Sequence, residues 1–162
     1  MTHTEDAPEP VPVLLFVEDD PADVQLISRA ISKVDLPIRV VHLGDGDQAV
    51  NYLSGAGEYA DREAHPVPWL VLLDIKMPRR SGLEVVQWMR EQSDPVGSIL
   101  VVMFTSSSHA VDVNTAYQFG ANSYLVKPEN YSQMLSTMNV LKTYWLQLNK
   151  LPRPSGAAHK PA

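Results

Sequence analysis

The sequence predicts one doubly wound α/β domain built on a five-stranded parallel sheet, and three observations predict it. Short apolar runs alternate with helical stretches five times along the 162 residues. The run from Trp69 to Leu73 is unbroken and apolar, which is how a strand buried on both faces reads. Chemistry-bearing side chains also stand where the strands end. Glu18 and Asp19 follow the first strand, Asp74 the third, Thr105 the fourth and Lys127 the fifth. In an open parallel sheet those carboxyl ends share one edge, and ligands bind there. Asp74 alone would pass for an ordinary strand-to-loop aspartate. The joint placement makes it the organising residue.

The elements follow in order. Residues 1 to about 11 are acidic and proline-rich and read as a flexible tail. Val13 to Val17 is the first strand. Pro21 stands at the first helical position behind Asp20 as N-cap, with Asp23 in the first turn. Val24, Ile27, Ile31 and Val34 recur at helical spacing, giving a helix over 21–34. A second strand covers 38–41 and a short helix 47–53. The connection GAGEYADREAHPVP over 55–68 reads as an exposed insertion. Ser81 and Glu84 form a capping box that opens a third helix, with Val85, Val86 and Met89 on its apolar side. A fourth strand spans 99–104, and a helix over about 110–119 is closed by Gly120. The fifth strand is 123–126. A last helix runs from near Asn130, with Gln133 as capping partner, to about Leu148. Residues 12–150 form the domain, and 151–162 read as a second flexible tail.

Composition excludes several classes. Hydrophobic residues make up 44% of the chain, enough for a core, and the net charge of −6 with no dense Lys/Arg block disfavours a nucleic-acid-binding face. There is no cysteine, so disulfide scaffolds and thiolate metal sites are out. No apolar run reaches the roughly 18 residues of a membrane span. A soluble, cytoplasmic protein is the expectation. The five histidines, His3, His42, His65, His109 and His159, show no metal-ligand spacing.

The residues at the strand ends imply a chemistry. Three nearby carboxylates, Glu18, Asp19 and Asp74, raise one another's pKa unless a cation neutralises them. All three offer hard oxygens, so Mg²⁺ is the fitting ion. A carboxylate beside Mg²⁺ is a competent nucleophile toward phosphorus, which points to an aspartyl-phosphate on Asp74. The Thr105 hydroxyl and the Lys127 ammonium are candidate donors to the phosphoryl oxygens. The small side chain of Ser106 leaves the group room.

With these residues in place, the chain resembles the response-regulator receiver domains of bacterial two-component signalling, over about residues 12–148. The resemblance implies a flavodoxin-like receiver fold with strand order 2-1-3-4-5. It puts Glu18 and Asp19 on the acidic metal pair, Asp19 as direct ligand, and Asp74 on the phosphoacceptor. It puts Lys76 on the residue whose backbone carbonyl ligates Mg²⁺, Thr105 on the switch hydroxyl and Tyr124 on the switch aromatic. Lys127-Pro128 falls on the family's lysine and its commonly cis proline. Two features depart from the usual pattern. Glu18 replaces the first metal Asp, and Lys76 sets a cationic side chain beside the phosphoryl site. The implied partner is a sensor histidine kinase, with a histidine phosphotransfer protein as a second candidate. The long loop before the third strand and the Tyr144-Trp145-Leu146 ending resemble stand-alone regulators that partner phytochrome-type histidine kinases. Such a domain is not an enzyme beyond slow self-dephosphorylation.

Other classes fail on particular residues. A haloacid-dehalogenase-type phosphatase needs a second acid two positions after the nucleophile, where this chain has Lys76. A flavodoxin needs a hydroxyl-rich loop after the first strand, where this chain has three acids. No P-loop signature is present. The competing reading is a receiver-like docking module that works without phosphorylation. In the last helix, Met134, Met138, Leu141, Trp145 and Leu148 alternate four and three apart, as in a helix-pairing seam, and Val140 and Tyr144 widen the apolar surface. This predicts a homodimer through the last helix and the fifth strand, against the plainer reading of a core helix with a wide stripe.

Overall fold

The structure, a computed structural model, describes residues 11–150; apart from Val11, the two tails lie outside it. Five strands form one parallel sheet in the order β2-β1-β3-β4-β5. They are β1 (Val13–Val17), β2 (Arg39–Leu43), β3 (Leu70–Leu73), β4 (Leu100–Thr105) and β5 (Ser123–Val126). Between and after them come α1 (Pro21–Val34), α2 (Gly46–Ser54), α3 (Gly82–Glu91), α4 (Ala110–Gln118) and α5 (Tyr131–Leu141). The predicted alternation is thus observed, with ends shifted by one or two residues except in the last helix, whose α-helical part stops at Leu141. No helix among the described residues is long and apolar enough to cross a membrane.

Alternation along the strands divides the core in two. Leu15, Val17, Val71, Leu73, Val101 and Met103 face α2, α3 and α4, while Leu14, Phe16, Leu70, Leu72, Val102 and Phe104 face α1 and α5. The central strands β1 and β3 are buried at every position, as their unbroken apolar runs require. Helix starts follow the capping signals. Asp20 accepts the N–H groups of Ala22 and Asp23, Ser81 and Glu84 close a capping box, and Asn130 accepts the Gln133 N–H.

Two expectations need correction. The first concerns the last helix. Met134, Met138 and Trp145 are buried against the sheet and Leu141 packs with them, so most of the supposed pairing seam is core. A seven-residue seam and a sheet-facing stripe share nearly the same spacing, and the sheet claims it here. The exposed apolar residues lie on the second face, at Val140 and Tyr144, with Leu148 beyond. Past Leu141 the helix widens into a π-helical turn over Lys142–Leu148.

Residues 55–68 are largely exposed or part-exposed, as expected of an insertion, and they are tied to α2. Arg62 donates to the carbonyls of Tyr52 and Leu53, both at 2.7 Å, and so caps the last turn of α2 from the loop. Tyr52, Tyr59 and His65 pack ring against ring beneath it, and the Tyr52 hydroxyl donates to the Pro66 carbonyl. The second correction is local. The cis peptide among the described residues is Asp94–Pro95, not Lys127–Pro128. The trans preference of an X–Pro bond is small, so the surroundings of each bond decide it.

Arg90 has no acidic partner among the described residues yet makes four hydrogen bonds. It donates to the carbonyls of Gly97, Ile99 and Gly120 and to Asn122 Oδ1. It thereby ties the end of α3 to the end of α4 and the start of β4, at the edge of the sheet opposite the acids.

Candidate functional site

Strand register builds the site. Val17 pairs with Leu43 and Leu73, and Leu73 pairs with Met103, so the next residues of neighbouring strands emerge side by side. The backbone ladder runs one step further, with Glu18 N–H donating to Leu43 O at 3.0 Å and Asp74 N–H to Val17 O at 3.2 Å. On the far side Lys127 N–H donates to Thr105 O at 2.8 Å. Glu18, Asp74 and Thr105 are buried at these ends, whereas Asp19 is exposed.

One carboxylate oxygen from each of Glu18, Asp19 and Asp74 lies within 4.8 Å of the others. The Lys127 ammonium closes the group. It donates to Glu18 Oε2, to Asp23 Oδ2 at 2.8 Å and to Asp74 Oδ2 at 3.2 Å. The remaining oxygens of the two buried acids are also bound. Asp20 N–H donates to Glu18 Oε1 at 3.1 Å and Ile75 N–H to Asp74 Oδ1 at 2.7 Å. Asp19 makes no side-chain hydrogen bond among the described residues, which leaves its oxygens available to a ligand.

Burial and crowding set the electrostatics. Burial pushes the Glu18 carboxyl up to about 7, against the pull of Lys127 and with a push from the Asp74 charge. Burial also works against the Lys127 cation, but hydrogen bonds to Asp23 and Glu18 and the Asp74 charge more than offset it, so the ammonium is held above its ordinary range. Of these partners, sequence reasoning missed Asp23. It was legible as a first-turn acid, and nothing local pointed to a lysine 104 positions away.

Thr105 and Tyr124, the switch residues that the resemblance implies, are joined through a residue that sequence reasoning also missed. Ser107 N–H donates to Thr105 Oγ1 at 3.4 Å, and the Tyr124 hydroxyl donates to Ser107 O at 2.8 Å. Ser107 Oγ in turn donates to Asp112 in the first turn of α4. Tyr124 is half-buried, and burial raises its phenol above the ordinary value. Lys76, on the loop after β3, keeps its side chain exposed. Asp20 stands at the start of α1 as its cap, as expected.

Residues 14–139 match the response regulator receiver domain family. The chain belongs to that family. Among relatives of this receiver domain, the probable methanogenesis regulatory protein FilR2 of Methanothrix harundinacea is 34% identical over 88% of this chain and 89% of its own. The response regulator Rcp1 of Synechocystis sp. is 32% identical over 91% of this chain and 97% of its own. The structure of the phosphorylated cyanobacterial phytochrome response regulator RcpA superposes with a TM-score of 0.81 at 31% identity, covering 89% of this chain and all of that one. The Mn²⁺-bound form of Rcp1 gives a TM-score of 0.78 over 88% of this chain and 99% of that one. Receiver domains bind Mg²⁺ or Mn²⁺ in an acidic pocket and interact with histidine kinases. The acids here fit such an ion, being three hard-oxygen donors converging on one point with Asp19 still open.

A pH dependence follows from Glu18. Without a divalent ion its folded-state pKa of about 7 exceeds the ordinary 4.5, so the folded state holds a proton that the unfolded chain has released. This group's contribution to stability therefore falls as pH rises from 4.5 to about 7. A divalent ion requires the carboxylate. Its binding should therefore release protons, and fewer of them as pH rises above about 7. Calorimetric titration in buffers of different ionisation enthalpy measures this, and release that is independent of pH would assign the carboxyl an ordinary pKa.

Proposed function

We propose that this receiver domain takes a phosphoryl group from a histidine kinase onto Asp74, with Mg²⁺ present, and signals through protein contacts. The observation that carries the reading is the placement of the Asp74 carboxylate beside two further acid side chains, with its Oδ2 accepting from Lys127. Glu18, Asp19, Asp74 and the Lys76 carbonyl would hold the ion, Asp19 directly and Glu18 at the longer reach that suits a bridging water. Mg²⁺ supplies neutralisation of charge on the phosphoryl oxygens. An Asp74 oxygen attacks phosphorus, the bond from phosphorus to the kinase imidazole nitrogen breaks, and that nitrogen keeps the electron pair. Lys127 and the Thr105 hydroxyl donate to the phosphoryl oxygens. Movement of Thr105 toward them draws on the Ser107 link and biases Tyr124, which shifts the population of the β4–α4 face. Slow hydrolysis returns the carboxylate.

The kinase is of phytochrome type in this reading, supported by the likeness to Rcp1 and to RcpA, a cyanobacterial phytochrome response regulator. A histidine phosphotransfer protein is the second candidate partner. Homodimerisation through α5 and β5 would use exposed Val126, Val140, Tyr144 and Leu148 rather than the buried stripe.

Intact mass after incubation with acetyl phosphate tests the central claim. The protein should gain one phosphoryl group with Mg²⁺ and none with a chelator. No gain either from acetyl phosphate or from a phosphorylated kinase would overturn it in favour of the docking module.

A further inference from the structure

The ammonium of Lys127 has three N–H bonds and three carboxylate acceptors, one of which the acid cluster does not explain. Glu18 and Asp74 belong to the group whose oxygens converge within 4.8 Å; Asp23 does not. Asp23 reaches Lys127 from the first turn of α1, at 2.8 Å, while the Lys127 side chain is 6% exposed and that of Asp23 37%. A divalent ion would draw the oxygens of Glu18 and Asp74 to itself, and a phosphoryl group would occupy Asp74 Oδ2. Both would then cease to hold the ammonium as they do here. Asp23 would be the carboxylate left to it.

We propose that Asp23 is a positioning residue that anchors the Lys127 ammonium from the α1 side, so that one N–H stays aimed at the phosphoryl oxygens when the ion and the phosphoryl group engage Glu18 and Asp74. The inference rests on the reading of Asp74 as phosphoacceptor. The plainer role of a first-turn acid, favourable to the helix dipole, would alter stability slightly and leave the chemistry untouched.

Phosphorylation by acetyl phosphate at saturating Mg²⁺ is the test, with wild type, Asp23→Asn, Asp23→Glu and Asp20→Ser compared. Asp23→Asn should slow uptake about fivefold with its Mg²⁺ affinity unchanged, and Asp23→Glu should recover much of the rate. Asp20→Ser removes a neighbouring negative charge but keeps a cap and should phosphorylate at the wild-type rate. The proposal is overturned if Asp23→Asn matches wild type, if its loss tracks Mg²⁺ affinity, if Asp23→Glu is equally slow, or if Asp20→Ser is slowed as much. Wild type that takes up nothing sinks the phosphoacceptor reading itself, a separate result from a variant that behaves as wild type.

Discussion

Asp74→Asn should lose phosphoryl uptake altogether while keeping its fold. The amide oxygen is a far weaker nucleophile than the carboxylate, and no other acid replaces Asp74 where it stands. Glu18 is 1% exposed with both oxygens bound, and Asp19 is the exposed acid best placed to hold the ion. The fold should survive because the asparagine carbonyl can still accept the Ile75 N–H that Asp74 Oδ1 now accepts at 2.7 Å. Lys127 keeps Glu18 and Asp23. One of several crowded negative charges also disappears, which relieves Glu18. Its thermal midpoint without Mg²⁺ should therefore equal or exceed the wild-type value. Residual uptake in Asp74→Asn would identify Glu18 or Asp19 as an acceptor. A variant that fails to fold would give the carboxylate a structural role that this geometry does not show.

The strand-end acids, Thr105 and Lys127 were legible in the sequence because a strand's end is marked locally, by an apolar run giving way to a polar residue. Parallel topology then brings those ends together without any knowledge of side-chain contacts. Caps were legible for the same reason: Asp20, Ser81 and Asn130 each act within three residues of themselves. Features set by distant partners were not. Asp23 looks like any first-turn acid until Lys127 arrives from β5. Nothing local marks Arg62 or Arg90 as structural, yet each spends its guanidinium on backbone carbonyls. The stripe of α5 was misassigned because spacing reports a buried face and not what buries it.

Gly82→Ala should damage both stability and phosphorylation, although alanine is the better helix former by about 1 kcal/mol in a helix interior. Gly82 opens α3, and its N–H donates to Ile75 O at 2.8 Å, so the helix start lies directly on the peptide that follows the acceptor. A Cβ added there would stand 1.9 Å from the Asp74 carbonyl oxygen and 2.8 Å from its carbon. No rotamer relieves a clash between Cβ and backbone. Either α3 withdraws, straining the capping box of Ser81 and Glu84, or the Asp74–Ile75 peptide shifts and carries the carboxylate away from Lys127. Overpacking of this kind costs about 1–3 kcal/mol, set against the smaller gain in helix propensity. Gly57→Ala is the fitting comparison, since its added Cβ meets nothing within 4 Å and its φ of +57° leaves backbone strain alone to act. Urea unfolding should rank Gly82→Ala below Gly57→Ala, and acetyl phosphate uptake should slow in the former alone. If Gly82→Ala unfolds at the higher urea concentration, or phosphorylates as fast as wild type, α3 does not rest on the acceptor's backbone, and the position of Asp74 is set by the sheet without it.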